Sequence, residues 1–481
     1  MTTTLFRKTA PMLALLGLGL SACQPDLEKD FEPSSGTADF TTYVAVGNSL
    51  TSGFSDGGLY LEGQQNSFPS ILAQQFAKAG GGEFQQPLFP DNGFNGGGYL
   101  KITGFNNGSP TIGPETANLA IVGLGADGKT PLLSRYDGTG NQNLGVPGIR
   151  VADVLTPGYG LNNPLGFNQY FERLLPASSP STYLQYVQER VATLKPTFFT
   201  NWLGNNDVLG YASSGGTAAP LTEVGEFTTK YDQVLDALTT SGAKGLVVTI
   251  PNVSNVPLFT TVPTAGVIAQ VQGTPIPPEL VPVIGASLGL PAGAPLPEGT
   301  RFGLYIKTSD AKKPIREATA KDLILLPASS FINSAPVSPN LFPGGIGLVI
   351  PGASAEVAGA LAAISNALPN NLVLDEAEAK NVATRTGELN AAIKASASAR
   401  GLAVFDANAF FATVASNGIV ANGVNNTAGF VSGNLFSLDG VHPTPRGYAI
   451  IANEMIKVIN STYGAKVPTV NPNDYRGVKF P

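Results

Sequence analysis

Four short apolar runs, separated by stretches of helical spacing, constrain the fold of this chain more than any other feature. None of the runs alternates apolar with polar residues, and they lie at residues 42–47, 196–203, 244–250 and 401–405. Continuous runs of this length are typical of parallel strands that are buried on both faces. The chain is therefore expected to build a parallel sheet covered by helices on each side.

The stretches between these runs predict the covering helices. After Ser181, a suitable capping residue, apolar residues recur every three or four positions at Leu184, Val187, Val191 and Leu194. Similar patterns cover residues 222–241, residues 376–399 and the segment that follows Pro443 and Pro445. Alternating strands and helices predict a doubly wound α/β fold, whose ligands bind at the carboxyl ends of the strands.

Two stretches break this alternation. Residues 80–128 contain 13 glycines, and residues 251–350 contain 15 of the 38 prolines with apolar residues between them. Long segments of this kind in a compact domain are usually functional or mobile. We interpret them as insertions at about 80–130 and 255–368 in one domain of residues 39–465, followed by a C-terminal tail of residues 466–481.

The composition excludes several classes of protein. Charged residues make up only 13 % of the chain, the net charge is −6, and no cluster of Lys and Arg is present to neutralise phosphates. We therefore expect no nucleic-acid partner. One Cys and one His cannot form a His/Cys zinc site, and no spacing of carboxylates predicts another metal, so we expect neither a metal nor a cofactor.

The N-terminus has the pattern of a secretion signal. Arg7 and Lys8 precede an apolar run that is too short to span a bilayer, and small residues follow it. The sequence Leu-Ser-Ala-Cys at residues 20–23 resembles the lipobox of bacterial lipoproteins, which implies removal of residues 1–22 and lipid attachment to Cys23. Residues 23–38 are then a tether. Gln24 after the lipidated Cys implies the outer membrane of the cell envelope.

A candidate nucleophile follows the first apolar run. The segment Gly47-Asn48-Ser49-Leu50 puts Ser49 just past a strand end beside a glycine, where a tight turn can expose its hydroxyl. A nucleophilic serine also needs a base to accept its proton. Because a Gly-x-Ser segment is far more often a plain turn, its partners must decide the question.

The single histidine is the only imidazole base available. His442 lies in Asp439-Gly440-Val441-His442, just before the last predicted helix. If this stretch forms one helical turn, residues three apart face the same way. Asp439 can then orient the ring and stabilise its cation, as in a Ser-His-Asp triad.

Two further segments can supply hydrogen-bond donors for an oxyanion. The second apolar run ends in Gly204-Asn205-Asn206-Asp207, where the Asn206 amide is well placed to donate. The loop at residues 143–150 offers Gly145 or Gly148, whose backbone N–H no side chain would shield. Each segment alone is more often an ordinary turn.

Together and in this order, the four segments resemble the SGNH (GDSL) hydrolase family. The resemblance covers about residues 40–80, 140–255 and 370–460, outside the two insertions. It implies a flavodoxin-like three-layer α/β/α fold, Ser49 as nucleophile, His442 as base and Asp439 as its partner. It also implies an oxyanion hole built from the N–H groups of Ser49 and Gly148 with the Asn206 amide. Asn48 departs from the family, which usually has Asp there.

The function expected from this resemblance is serine ester hydrolysis through an acyl-enzyme, at the cell envelope. The substrate is a small-molecule or lipid ester, and the apolar Pro-rich insertion can form a lid or an acyl cleft over the site. The alternatives are an acetyl esterase acting on carbohydrates with the same fold, and a lipoprotein that binds a partner without catalysis.

Overall fold

The computed structural model describes residues 31–106, 108–337 and 340–481. The predicted signal segment 1–22 and residues 23–30 of the predicted tether, including Cys23, lie outside the described residues. None of the described helices is both long enough and apolar enough to cross a membrane.

A four-stranded parallel sheet forms the centre of the molecule. Its strands are β1 (Tyr43–Gly47), β2 (Phe198–Trp202), β3 (Lys244–Val248) and β4 (Ala403–Phe405), hydrogen-bonded in that order. Each corresponds to one of the apolar runs, shortened by one to three residues at its ends. Nearly every residue in these strands is buried, as expected for a sheet covered on both faces.

An irregular fifth segment extends the sheet beyond β1. Residues 142–146 run parallel to β1, and the N–H groups of Leu144 and Val146 donate to the carbonyls of Ala45 and Gly47 at 2.7 and 3.0 Å. If residues 142–146 are counted as the second strand along the chain, β2, β3 and β4 become the third, fourth and fifth. The order across the sheet is then 2-1-3-4-5, which is typical of flavodoxin-like folds. The chain reverses its direction of winding between β1 and β2, which is where such folds bind ligands.

Seven helices accompany the sheet. They are α1 (Ser49–Ser52), α2 (Phe68–Lys78), α3 (Tyr183–Leu194), α4 (Asn206–Ala212), α5 (Val224–Thr239), α6 (Glu376–Ala399) and α7 (Pro445–Tyr463). Helix α2 packs on α7, while α5 packs between α3 and α6. The predicted α/β arrangement of helices around a mostly parallel sheet is confirmed.

Capping residues set where these helices begin. Thr182 caps α3 and Asp375 caps α6, and each forms a reciprocal pair with the residue three positions on, Gln185 and Glu378. Our expectation that Ser181 caps α3 was wrong by one residue, because only Thr182 is followed at the required spacing by a Gln.

The remaining elements decorate this frame. The other strands are Tyr99–Asn106, Ser109–Glu115, Ile121–Leu124, Pro131–Leu133, Arg301–Lys307, Ile315–Glu317, Leu323–Ile324, Ile346–Val349, Val373–Leu374, Ile419–Ala421 and Val424–Asn426. The other α-helices are Leu61–Gln65, Gln169–Glu172, Pro257–Thr260, Thr264–Gly273, Val281–Ser287, Ala355–Ala363 and Ala407–Asn417. Short 3₁₀ turns lie at Asp91–Gly93, Val151–Asp153, Val253–Asn255, Pro278–Leu280, Leu326–Ser330, Asn370–Leu372 and Pro472–Asp474.

The two insertions fold differently. The first forms two antiparallel hairpins, Tyr99–Asn106 with Ser109–Glu115 and Ile121–Leu124 with Pro131–Leu133. The second builds a three-stranded antiparallel sheet centred on Arg301–Lys307, and most residues of three small apolar clusters come from it.

Both chain ends of the described fold pack on the domain. The N–H of Thr37 donates to the carbonyl of Tyr463 at 2.8 Å, and Ser34 pairs with Lys466, so the last part of the predicted tether lies against the end of α7. The C-terminal tail returns to the other end of α7, where the N–H of Arg446 donates to the carbonyl of Arg476 at 2.9 Å.

Candidate active site

Ser49 is presented by a sharp turn at the carboxyl end of β1. The strand ends at Gly47, Asn48 accepts a hydrogen bond from the N–H of Leu50 at 3.1 Å, and Ser49 begins the short helix α1. A side chain at Gly47 has no space, because a Cβ there would lie 2.0 Å from the hydroxyl oxygen of Thr51. The turn leaves Ser49 at the edge of the sheet where the winding reverses.

A continuous chain of hydrogen-bonding contacts links Ser49 to His442 and Asp439. The Oγ atom of Ser49 lies 2.8 Å from Nε2 of His442, and Nδ1 of His442 lies 2.8 Å from Oδ2 of Asp439. If Nδ1 carries the proton and donates to Asp439, Nε2 is free to accept from the hydroxyl of Ser49. The structure thus brings together three residues that lie 393 and 3 positions apart.

The turn that joins Asp439 to His442 is not the helical turn we expected. Oδ1 of Asp439 accepts hydrogen bonds from the N–H groups of Val441 and His442, both at 2.8 Å, and Gly440 has a φ of +72°. This is an Asx-type turn, in which the side chain replaces a backbone acceptor. It holds the carboxylate against the imidazole as effectively as a helix would.

The surroundings of Asp439 keep it ionised. The N–H of Gly57 donates to Oδ2 at 2.9 Å and the hydroxyl of Ser437 donates to Oδ1 at 3.2 Å. Burial by itself raises the pKa of Asp439, but the positive charge that His442 can carry and the hydrogen bonds from its ring and backbone outweigh burial and lower the pKa to about 2. The group is therefore a carboxylate at any pH at which the imidazole can act as a base.

Gly148 and Ser49 line the same cleft. Gly148 has a φ of +83°, which favours glycine, and the side chain of Asn168 donates to the carbonyl of Pro147 at 2.7 Å to fix this peptide. Neither the Gly148 nor the Ser49 amide donates to another described protein group. Gly145 lies elsewhere, since its N–H donates to Asn143 at 3.1 Å and it packs against α1.

Asn206 and Asp207 tie the third donor to the Gly148 loop. The amide of Asn206 donates to the carbonyl of Ile149 at 3.0 Å, which leaves its second N–H for a ligand. The carboxylate of Asp207 accepts from the N–H groups of Val151 and Ala152 at 2.8 and 3.1 Å. Burial raises the pKa of Asp207 to about 6 in spite of these bonds.

One family model matches part of the chain. Residues 304–455 match the family model described as GDSL-like Lipase/Acylhydrolase. No curated protein matches the chain.

The GDSL match covers Asp439 and His442 but not Ser49, Gly148 or Asn206. It also begins inside the second insertion, which our sequence comparison left outside the resemblance. The match covers about a third of the chain and supports the GDSL family; together with the parallel sheet and its flanking helices it agrees with the SGNH α/β fold.

Aromatic side chains form the walls of the candidate site. Ser49, His442, Gly148 and Asn206 open into a cleft of about 420 Å³, whose other lining residues are Phe54, Thr130, Pro147, Phe167, Asn168, Gln169 and Tyr170. The ring centroid of Phe54 lies 4.7 Å from that of His442, and Tyr170 meets Phe54 edge to face at 5.9 Å. Thr130 comes from the first insertion, and none of the cleft-lining residues comes from residues 251–350.

A second polar network supports the loop that carries Asp439. The buried carboxylate of Asp56 accepts from the N–H of Leu438 at 3.1 Å and from the hydroxyl of Tyr60 at 2.8 Å. Burial raises the pKa of Asp56, and Arg476 of the C-terminal tail counteracts this from 3.7 Å away. The tail therefore contributes a charge close to the triad.

Sequence reasoning missed several of these residues. Phe167, Asn168 and Tyr170 lie where an uncharged loop enters the short helix Gln169–Glu172, a segment that no motif marks, and Arg476 is 34 residues beyond His442 in the chain. Their roles depend on contacts between distant segments. Only Asp207 stood within a motif that the sequence had already singled out. Among the described residues, no group of three or more His, Cys, Asp or Glu is arranged to hold a metal ion.

Proposed function

We propose that this protein is a serine ester hydrolase of the GDSL type that acts through an acyl-enzyme. The observation that carries the proposal is the pair of 2.8 Å contacts that link Ser49, His442 and Asp439 at the mouth of the cleft. A nucleophile, a base in contact with it and a carboxylate that orients the base are the constellation that ester cleavage requires.

Acylation begins when the hydroxyl oxygen of Ser49 attacks the ester carbonyl carbon. Nε2 of His442 takes the hydroxyl proton, and the charge that forms on the imidazolium is stabilised by Asp439. The carbonyl oxygen becomes an oxyanion, which the N–H groups of Ser49 and Gly148 and the amide of Asn206 can bind. His442 then gives its proton to the alcohol as the ester bond breaks, and Ser49 keeps the acyl group.

Deacylation repeats these steps with water. His442 takes a proton from a water molecule, whose oxygen attacks the acyl carbon, and the oxyanion forms again. The free acid leaves when the bond to Ser49 breaks and His442 returns the proton to the serine. No cofactor is needed in either half.

The walls of the cleft favour an apolar group on the substrate. Phe54, Phe167, Tyr170 and Pro147 offer rings and methylene groups, and none of the described residues that line the cleft is an Asp, Glu, Lys or Arg. We therefore expect carboxylic esters with an aliphatic or aromatic acyl group to be better substrates than acetylated sugars.

Replacing the nucleophile tests the function. Ser49→Ala should lower kcat on p-nitrophenyl butyrate by at least about 10⁴-fold, and Asn206→Ala by roughly 10²–10³-fold. Ser52→Ala is the matched control, because Ser52 is a buried serine of the same helix whose hydroxyl donates to the carbonyl of Ser49 at 2.9 Å instead of meeting His442. A wild-type protein without hydrolytic activity, or an active Ser49→Ala protein, contradicts the proposal.

We also propose that the enzyme is held at the cell envelope, in the outer membrane, by lipid on Cys23. The support is the sequence of residues 20–23 and the short apolar run before it. Cys23→Ser should abolish incorporation of a labelled fatty acid into the protein. If the label is still incorporated into this variant, Cys23 is not the site of lipid attachment. That result has no bearing on the proposed ester hydrolysis.

A further inference from the structure

Three large apolar side chains are more than 60 % exposed on two segments next to the cleft, the hairpin that begins with the strand Ile121–Leu124 and the loop that contains Leu165. Leu165 is 98 % exposed, Val122 71 % and Leu124 62 %. Single exposed apolar side chains are common, but several of them around one site indicate a contact surface. We call Val122, Leu124 and Leu165 the apolar rim.

The two segments of the apolar rim touch each other and continue into the cleft. The N–H of Ala126 donates to Oδ1 of Asn162 at 2.7 Å, and a Cβ at Gly125 would lie 2.3 Å from the ring of Phe167. Thr130 of one segment and Phe167 of the other line the cleft. A partner that covers the apolar rim therefore also covers the mouth of the site.

Local hydrogen bonds hold Leu165 outward. The side chain of Asn163 accepts from the N–H of Leu165 at 2.9 Å and donates to the carbonyls of Leu161 and Gly166 at 2.7 and 3.0 Å. A turn braced in this way fixes the backbone on both sides of Leu165. The exposure of this side chain is thus built into the loop.

The surroundings of the apolar rim carry almost no net charge. Residues 117–126 and 154–171 contain no Asp, Glu, Lys or Arg. The hairpin turn between the rim strand and Thr130 carries one acid and one base, Asp127 and Lys129. Such a surface suits a neutral or zwitterionic partner, since an anionic membrane is normally met by clustered Lys and Arg.

We propose that the apolar rim inserts into the surface of a neutral or zwitterionic lipid phase, from which the cleft takes its ester substrate. The inference rests on the proposed hydrolase function and names the form in which the substrate is presented. A protein bound to the rim would close the mouth, whereas a lipid phase bound there supplies substrate through it. Transfer of Leu165 and its neighbours from water into the acyl-chain region of the lipid buries apolar surface, and this burial drives the contact.

This contact is separate from the proposed lipid on Cys23. Helix α7 begins at Pro445, three residues after His442, and ends at Tyr463, where Thr37 is bound. Its 19 residues span about 28 Å. The chain that leads to Cys23 therefore joins the domain at the end opposite to the catalytic edge, and the experiment must omit that lipid.

The test is flotation with phosphatidylcholine vesicles. The protein is residues 24–481, which contain the whole described fold and lack Cys23. We expect Leu165→Ser and Val122→Ser each to weaken vesicle binding by about tenfold, and the double variant by more. Val420→Ser is the matched control, since Val420 is 70 % exposed on the hairpin strand Ile419–Ala421 and does not border the cleft.

Activity separates this proposal from the proposed function. The rim variants should hydrolyse dissolved p-nitrophenyl acetate as fast as the wild type but act more slowly on a tributyrin emulsion. A wild-type protein that cleaves dissolved ester and does not float contradicts the apolar rim alone. A protein that floats but cleaves no ester contradicts the hydrolase function and not the lipid contact.

Three other results overturn the proposal. The first is equal flotation of the Leu165→Ser and Val420→Ser proteins. The second is vesicle binding that requires an anionic lipid, because electrostatic attraction and not the apolar rim would then account for the binding. The third is a dimer in sedimentation velocity that Leu165→Ser dissociates, which would assign the rim to a second copy of the chain.

Discussion

The two insertions differ in where their apolar residues are buried. In the first, Phe89, Ala120 and Leu133 pack with Leu59, and Ile102 packs with Leu438 next to Asp439. The second buries most of its apolar residues among themselves, in three clusters that include Phe302, Phe342, Leu348, Leu304, Ile306, Leu368 and Tyr305. Of the described buried apolar residues in this insertion, only Val256, Leu258, Phe259 and Leu325 pack into the main core. One insertion therefore completes the site, while the other folds on itself beside it.

This difference reverses the expectation drawn from composition. The Pro-rich insertion is the more apolar of the two, so the sequence favoured it as a lid or an acyl cleft. A segment with enough apolar residues can build its own core, however, and it then has little apolar surface left for the site. The Gly-rich insertion is too poor in such residues to fold alone, so it packs on the loops that hold the triad.

The largest expected effect comes from comparing two buried carboxylates with the same substitution. Asp439→Asn should lower kcat by about 10⁴-fold, because the amide no longer stabilises the imidazolium or selects the reactive tautomer. Asp322 of the second insertion is fully buried and paired with Arg316 at 2.7 Å. Asp322→Asn should leave kcat unchanged and lower the free energy of unfolding by about 1.5–3 kcal/mol.

Steady-state kinetics and thermal unfolding of the two purified variants measure this contrast. A loss of kcat in Asp322→Asn, at a temperature where that variant is folded, means that the second insertion takes part in the reaction. The comparison between the insertions then fails.

A smaller effect should appear in the dependence on acyl length. Phe167→Ala opens a wall of the cleft and should lower kcat/KM for p-nitrophenyl octanoate about tenfold more than for the acetate. Leu326 of the second insertion packs against the main core close to Gly440, next to Asp439, and does not line the cleft. Leu326→Ala should lower the rate by one common factor for all chain lengths. The opposite outcome, selective loss of octanoate in Leu326→Ala, restores the Pro-rich insertion as the acyl cleft.

The smallest effect concerns stability and pH. The pKa of Asp207 is raised to about 6, so the folded state binds its proton more tightly than the unfolded state, and this carboxyl costs stability as pH rises through 6. For Asp322, burial is outweighed by the hydrogen bonds from Arg316 and the pKa is lowered, so its contribution is present above the usual Asp range and is lost in acid.

Melting temperatures between pH 2 and 8 can show these opposite signs, because the Asp207 change lies between the usual Asp pKa and about 6 and the Asp322 change lies below the usual Asp pKa. Relative to wild type, Asp207→Asn should gain stability as pH rises, up to about 3 kcal/mol for a shift of two pKa units. The Asp322→Asn protein should be less stable than wild type at neutral pH, and the difference between the two proteins should shrink in acid. Parallel curves for the two variants contradict the assigned directions.

Much of the frame could be predicted because it depends on local pattern. The runs at β1 to β4 and the helix Glu376–Ala399 were found within a few residues. The irregular edge segment 142–146 was missed, since it forms few ladder bonds and has no strand-like composition. Helix Phe68–Lys78 was also missed, although Ser67 caps it and a Pro follows in its first turn.

The sequence by itself determined the order of the strands and helices and the residue types able to carry out ester cleavage. Because the chain has one histidine, three residues after Asp439, the sequence leaves few choices for the base. A serine at the end of a strand likewise leaves few choices for the nucleophile that the base would serve. These features are local, so a linear pattern can record them.

Only the tertiary structure decided which segments meet. Ser49 and His442 come together because the sheet reverses its winding between β1 and β2, and because α7 begins beside that edge. The choice of Gly148 over Gly145, the aromatic walls, the charge of Arg476 near Asp56 and the place of each insertion depend on contacts between residues tens to hundreds of positions apart. Such contacts form where apolar surface can be buried, and burial is a property of the packed chain that no single segment encodes.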